Sequence, residues 1–149
     1  MRVFRVCRGK YPDLDGKGAA ISGGRWNSPG TRIVYTSSCS ALAVLEYRVN
    51  TKQDPRDLRI YTMELPDDLK MEKAGWMPDL PTAQRFGDVW IGSNRSVILA
   101  VPSVLVPRQI NYLLNPLHPD FTVSVRIVED QPFLLDLRLF DITPPKAVP

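Results

Sequence analysis

The sequence is poor in the side chains that build metal centres and cross-links. It holds two cysteines, Cys7 and Cys39, and one histidine, His118. Two thiols are too few for a disulfide framework or a four-cysteine zinc site. One imidazole excludes any motif that needs two, such as H-E-x-x-H, so no metal is expected. Long apolar runs are also missing: nothing approaches the roughly 20 residues of a membrane span, and the first residues carry no signal-peptide core. No membrane contact is expected, and free thiols without an export signal point to the cytoplasm. A strong charge of one sign is absent too. Nineteen basic residues against sixteen acidic ones give a net +3, which is modest for a protein that grips nucleic acid. The one basic run, Arg2, Arg5, Arg8 and Lys10, is followed at once by Asp13 and Asp15. It reads more simply as a solvated strand edge than as a phosphate track. Direct nucleic-acid binding is not expected, and a basic nucleic-acid-binding module is the distant alternative.

What is present describes an ordinary folded domain. The 149 residues, 44% apolar and 23% charged, fit one domain, residues 1–149, with surface enough to bury for a core of its own. Fourteen prolines are spread along the chain and punctuate turns. Val3 to Cys7 predicts a first strand. A long polar, glycine-rich stretch from Gly9 to Gly30 follows, with Trp26 in it as an anchor that is costly to leave wet. Arg32 to Thr36 predicts a strand, and Ser37 and Ser38 offer caps for a helix from about Cys39 to Val49. Leu58 to Leu65 alternates as a strand; Pro66 to Pro81 reads as irregular. Thr82 to Ile91 predicts a short helix and Val97 to Val101 a buried strand stopped by Pro102. A proline-studded loop then runs to Pro119, with further strands at Thr122 to Val128 and Phe133 to Leu139. The sum is a compact α+β domain of mostly antiparallel strands with two or three helices.

Three places stand out from this background. In the helix after Ser38, about 100° per residue puts Leu42, Leu45 and Val49 on one apolar face, and Glu46 falls about 40° from Leu42. A carboxylate there must be paired, solvated by a cleft, or shifted up in pKa; an internal ion pair with an arginine, a place at the stripe's edge reaching water, and a wall of a ligand pocket are all open. In Gly23-Gly24-Arg25-Trp26-Asn27, two glycines permit close backbone approach beside a guanidinium that can fork onto phosphate or ribose oxygens. The spacing is neither the P-loop nor the dinucleotide fingerprint, and a plain structured loop is the alternative. In Val101 to Asp120, Ser103 ends a buried strand, while Asn115-Pro116 and His118-Pro119 force turn geometry. With no G-x-S-x-G, a serine triad through His118 is disfavoured, leaving His118 as a turn residue.

Taken together, Gly24-Arg25-Trp26-Asn27, Tyr35-Thr36-Ser37, Ala43-Val44-Leu45-Glu46 and Val101-Pro102-Ser103, followed by Asn111 to Pro119, resemble the RES domain over roughly residues 2 to 141. That family is named for an arginine, a glutamate and a serine. The resemblance implies the toxin of an Xre–RES toxin–antitoxin module, a fold similar to ADP-ribosyltransferase toxins, and NAD+ as a substrate with no cofactor beside it. It implies either cleavage of the nicotinamide–ribose bond by water or phosphate, or transfer of ADP-ribose to a protein, and an Xre-family antitoxin as partner. By the same resemblance Arg25, Tyr35, Glu46 and Ser103 are catalytic, with Ser37 and Ser96 as other candidates for the family serine. Gly24, Trp26, Asn27, Ser37 and Asn115 would bind substrate, and Tyr35 would stack on the nicotinamide. Such a bond breaks with a neutral leaving group, so the reaction asks for electrostatic support of a growing positive charge on the ribose. Glu46 suits that need.

Overall fold

The computed structural model describes residues 1–51 and 56–139. Seven strands join in one mixed sheet: β1 Arg2–Arg8, β2 Val34–Ser37, β3 Leu58–Glu64, β4 Met71–Lys73, β5 Ile98–Pro102, β6 Ile110–Leu114 and β7 Arg126–Phe133. Their spatial order is β4-β5-β6-β2-β1-β3-β7. Only β4 and β5 run parallel; every other pair is antiparallel. Four helices complete the described chain: α1 Lys17–Ser22, α2 Ser40–Asn50, α3 Leu80–Ser93 and α4 Phe121–Ser124. The expected α+β class with mostly antiparallel strands is what the chain adopts.

Strand periodicity divides the core between the two faces of the sheet. Val3, Val34, Met63, Ile98 and Leu114 point to one face, where Leu65 and Phe121 of α4 cover them. Leu99, Val101 and Leu113 point to the other and pack under Ala83, Trp90 and Ile91 of α3, together with Trp26 and Ile33. On that same face, Val6 of β1 meets Ala43 of α2 and Leu58. Because β5 is covered on both sides, Ile98 to Val101 are all buried, which is why that segment reads as a continuous apolar run. Two helices therefore lie on one face, α2 over β1 and β2, α3 over β5 and β6, and the gap between them is the space for a site.

Several expectations are corrected. The polar stretch after β1 contains a helix, α1, entered through Gly16 and left through Gly23, both at positive φ. It has no buried residue, so no apolar stripe announced it. Neither Ser37 nor Ser38 caps α2: the cap is Cys39, without a side-chain hydrogen bond, while Ser37 is the last residue of β2. The inward face of α2 is also turned from the expected one. Leu42 and Ala43 are buried, but Leu45 is 38% exposed and Val49 58%. The irregular region after Pro66 holds β4, and the proline-studded loop holds β6, whose pairing with both β2 and β5 overrides its poor local signal. Near the end of the described chain, Phe121–Ser124 is helical and one strand, β7, spans Arg126–Phe133. Where a last strand was expected, a 3-10 turn covers Leu137–Leu139.

Candidate active site

The helix α2 carries Glu46 one turn beyond Leu42 and Ala43 on its inward side, facing the sheet where β2 and β6 pair. Its Oε1 accepts hydrogen bonds from Asn111 Nδ2 at 2.5 Å and Ser103 Oγ at 3.2 Å. Asn111 sits on β6 directly across from Ser37 of β2, and its Oδ1 accepts the Ser37 hydroxyl at 2.7 Å. The strand register thus builds a chain Ser37–Asn111–Glu46. The Ser103 hydroxyl is oriented from its other side. The N–H groups of Leu105 and Val106 donate to its oxygen at 3.1 and 3.3 Å, which leaves its own proton to point at the carboxylate. A hydrogen bond to a charged acceptor is worth about twice a neutral one, so two of them fix Oε1 firmly. Both fall on one oxygen, and among the described residues no hydrogen bond is made to Oε2.

What faces Glu46 is a cavity of about 480 Å³ whose wall also includes Arg5, Arg25, Tyr35, Ser37 and Asn111, a volume within the range of small-molecule sites. Glu46 does not pair with Arg25. The Arg25 Nη2 donates to the Met77 carbonyl, and the guanidinium lies over the Trp76 ring with its carbon 5.4 Å from the ring centre. The internal ion pair left open by the sequence is absent among the described residues.

The loop that presents Arg25 is held from within. Asn27 is fully buried, and its amide donates to the carbonyls of Ala19 and Thr31 at 2.9 and 2.8 Å and to that of Ser28 at 3.3 Å. Its Oδ1 accepts the Tyr35 hydroxyl at 2.7 Å, and the Tyr35 oxygen in turn accepts the Trp26 N–H at 3.0 Å. Burial pushes the Tyr35 hydroxyl well above the usual tyrosine range, against the lowering pull of the Trp26 N–H. A side chain at position 24 would put its Cβ 2.7 Å from that hydroxyl and 2.9 Å from Asn27 Oδ1, so Gly24 is required by this network. Trp26 turns the opposite way from Arg25, into the core, edge-on to Phe86 of α3 with centroids 6.1 Å apart. From α3, Gln84 donates to the carbonyls of Gly24 and Asn27, and Gly87 lets the helix touch the Trp26 carbonyl. Arg5, from β1, ties the start of the loop down by donating to the carbonyls of Pro12 and Tyr35 at 2.7 and 2.9 Å. Beside it, burial raises the Asp13 carboxyl, helped by the hydrogen bond its protonated form gives to Asp15 and opposed by Arg5.

Of the residues expected at a site, Arg25, Tyr35, Glu46, Gly24, Trp26 and Ser37 line one cavity, and Ser103 reaches it through Glu46. Asn27 acts from behind, inside the loop. Asn115 is elsewhere: its amide donates to the Ile91 carbonyl and to Asn94 Oδ1, closing the end of α3. Ser96 is elsewhere too, bonded to Trp90 and Glu72; the serine bonded to the acid is Ser103. His118 accepts the Asp120 N–H within its turn. Sequence reasoning missed Asn111, Gln84, Trp76 and Met77. Asn111 was findable, since it alternates with Leu113 once β6 is seen as a strand. Among the described residues no three His, Cys, Asp or Glu side chains gather as a metal would require, and no helix is long and apolar enough to cross a membrane.

Comparison with known proteins places this geometry in a context. The model of the RES domain matches residues 2–136. The chain is 42% identical over 121 residues to a Prs ADP-ribosylating toxin of a Sphingobium species, covering 72% of this chain and 75% of that one. It is 33% identical over 139 residues to a Toxin Res of Pseudomonas putida, covering 87% and 94%. Among solved structures it is similar to one in the crystal structure of the M. tuberculosis MbcT–MbcA toxin–antitoxin complex. That match has a TM-score of 0.69 and 14% identity and covers 89% of this chain and 83% of the other; at that identity the likeness is one of fold.

Proposed function

This chain belongs to the RES domain family, and on that footing we propose that it is the toxin of a bacterial toxin–antitoxin module, an enzyme that destroys NAD+ by cleaving the nicotinamide–ribose bond. The observation that carries this reading is the Glu46 carboxylate, gripped through one oxygen by Asn111 and Ser103 at the wall of a cavity that Arg25 and Tyr35 share. In the reaction, nicotinamide departs as a neutral base with the bonding electron pair, and positive charge grows on the ribose C1′ and ring oxygen. Glu46 Oε2, kept in place because Oε1 is already held, lies against that charge and takes the ribose 2′-hydroxyl. Fixed donors and acceptors need no reorganisation as the charge develops, which is where most electrostatic catalysis comes from. Arg25 binds the pyrophosphate or ribose oxygens. The Tyr35 ring lies against the nicotinamide while its hydroxyl stays in the loop network. Water or phosphate then adds to C1′, loses a proton, and leaves ADP-ribose or its phosphate.

The test is Glu46→Gln, which keeps shape and loses charge. NAD+ consumption by the purified protein is expected to fall at least ~10²-fold, the scale of one lost electrostatic stabiliser; a folded variant that consumes NAD+ at the parental rate overturns the reading. A second reading, transfer of ADP-ribose to a cellular protein, is favoured by the name of the 42% identical relative. The two share Arg25, Tyr35 and Glu46 and differ in the acceptor. Labelled NAD+ incubated with protein and cell lysate separates them: label on a protein band means transfer, free ADP-ribose or its phosphate means degradation. The partner in either reading is an Xre-family antitoxin, and the compartment is the cytoplasm, where NAD+ is available.

A further inference from the structure

Arg25 is held in an unusual way for a cation. No ion pair of the described residues includes it. Its contacts are instead neutral: the Met77 carbonyl and the face of the Trp76 ring. An acid in that position would fix the guanidinium and cancel its charge together. A carbonyl and a π face fix it and leave the charge for an incoming anion. The segment that supplies both is itself tied down. The Ala74 N–H donates to the Ala100 carbonyl at 2.9 Å, Met77 packs against the core cluster around Trp90, and Asp79 caps α3 by accepting the Thr82 N–H at 2.8 Å. Trp76 lies between these anchors and is 61% exposed. An indole that the core does not use, stacked on a residue of the cavity wall, calls for a reason other than packing.

We infer that Trp76 and the Met77 carbonyl form a charge-preserving clamp that positions Arg25 for the diphosphate of a dinucleotide. This rests on the reading of the cavity as an NAD+ site and deepens it. Trp76 is a positioning residue: it acts through Arg25 and need not touch substrate. In this clamp the ring orients the plane of the guanidinium, the carbonyl takes one Nη donor, and the remaining donors converge on the anion.

Two measurements on the purified chain test the clamp: steady-state NAD+ consumption, and calorimetric binding of ADP, a diphosphate without the scissile bond. Trp76→Ala is expected to raise KM for NAD+ and to weaken ADP binding about fivefold each, within the range of a partly exposed cation–π contact, with kcat changed by less than about twofold. Trp76→Phe, which keeps an aromatic face, is expected to recover most of both, and Arg25→Ala to abolish ADP binding. Because Trp76 is exposed, the alanine variant retains the core, and its melting temperature checks that it does. Parental KM and ADP affinity in Trp76→Ala, or a phenylalanine variant as weak as alanine, overturns the clamp. So does a loss in kcat with KM unmoved, or a parental protein that does not bind ADP. If the parental protein binds ADP but consumes no NAD+, the proposed function fails while the binding series still judges the clamp.

Discussion

Replacing Asn111 with alanine probes the part of the site that sequence reasoning overlooked. The change removes a donor to Glu46 Oε1 at 2.5 Å and the acceptor of the Ser37 hydroxyl at 2.7 Å. The first is a hydrogen bond to a charged group, worth roughly 1.5–3 kcal/mol, and the second strands a buried hydroxyl at a cost of about 1–3 kcal/mol. Cavity relaxation and water entry offset part of each, so the expected loss of folding stability is about 2–4 kcal/mol, read from urea denaturation midpoints. That is a large share of a typical domain's ~5–15 kcal/mol, and the melts belong at low temperature. Activity should suffer separately. With Ser103 alone holding Oε1, the carboxylate samples other rotamers, and NAD+ turnover is expected to fall about 10- to 100-fold under conditions where the variant is folded, equivalent to roughly 1.4–2.7 kcal/mol of the barrier. A double-mutant cycle isolates the Ser37–Asn111 link. Removing both partners leaves no orphaned hydroxyl, so Ser37→Ala together with Asn111→Ala should cost about 1 kcal/mol less than the sum of the single changes. Additive losses, or turnover within twofold of parental in Asn111→Ala, would refute the reasoning.

Gly87→Ala would place a Cβ 1.7 Å from the Trp26 carbonyl oxygen, so α3 must shift; a loss of about 3 kcal/mol, or roughly 6–12 °C in Tm, is expected by calorimetry. Gly24→Ala intrudes on the Tyr35–Asn27 bond and should lower NAD+ consumption by at least about tenfold while leaving Tm closer to parental than Gly87→Ala does. Tyr35→Phe orphans the Trp26 N–H and Asn27 Oδ1, costing about 1–3 kcal/mol at neutral pH. Burial raises the folded-state pKa of this hydroxyl, so its contribution is whole below the unfolded value of about 10 and is lost as pH climbs beyond it. The stability gap between parental and Tyr35→Phe proteins, measured by urea melts at pH 8, 10 and 11, should therefore shrink at the alkaline end.

The legibility of this molecule varies with how local each signal is. Strands β1, β3 and β5 announce themselves because alternation or continuous burial is written in neighbouring residues, and α2 and α3 because their lengths suffice for helical periodicity. α1 is invisible to this reading: six residues, none of them buried, carry no stripe, and the glycines that bound it look like loop chemistry. β6 was masked by the prolines around it, and its identity as a strand comes from partners on both sides. The site shows the same division. Glu46 stood out because a carboxylate interrupts an apolar stripe, even though Leu45 and Val49 turned out to face solvent and the inward stripe runs through Ala43. Arg25 and Tyr35 were placed by the order of the four sequence blocks that resemble the RES domain. Their actual partners, Met77, Trp76 and Asn27, follow from tertiary packing that no spacing encodes. Asn115 illustrates the opposite error, a polar residue in a suggestive block whose amide is spent on the end of a helix.

Glu46 and the two side chains that steady it are separated by 57 and 65 positions along the chain. A ribosome therefore delivers the acid well before it delivers either donor, and the strand bearing Asn111 must thread into place between β5 and β2 before the carboxylate is immobilised. Until then the nascent polypeptide carries the carboxylate but not the donors that align it. A fragment ending ahead of β6 has the acid without Asn111, and the register that seats Asn111 opposite Ser37 cannot form.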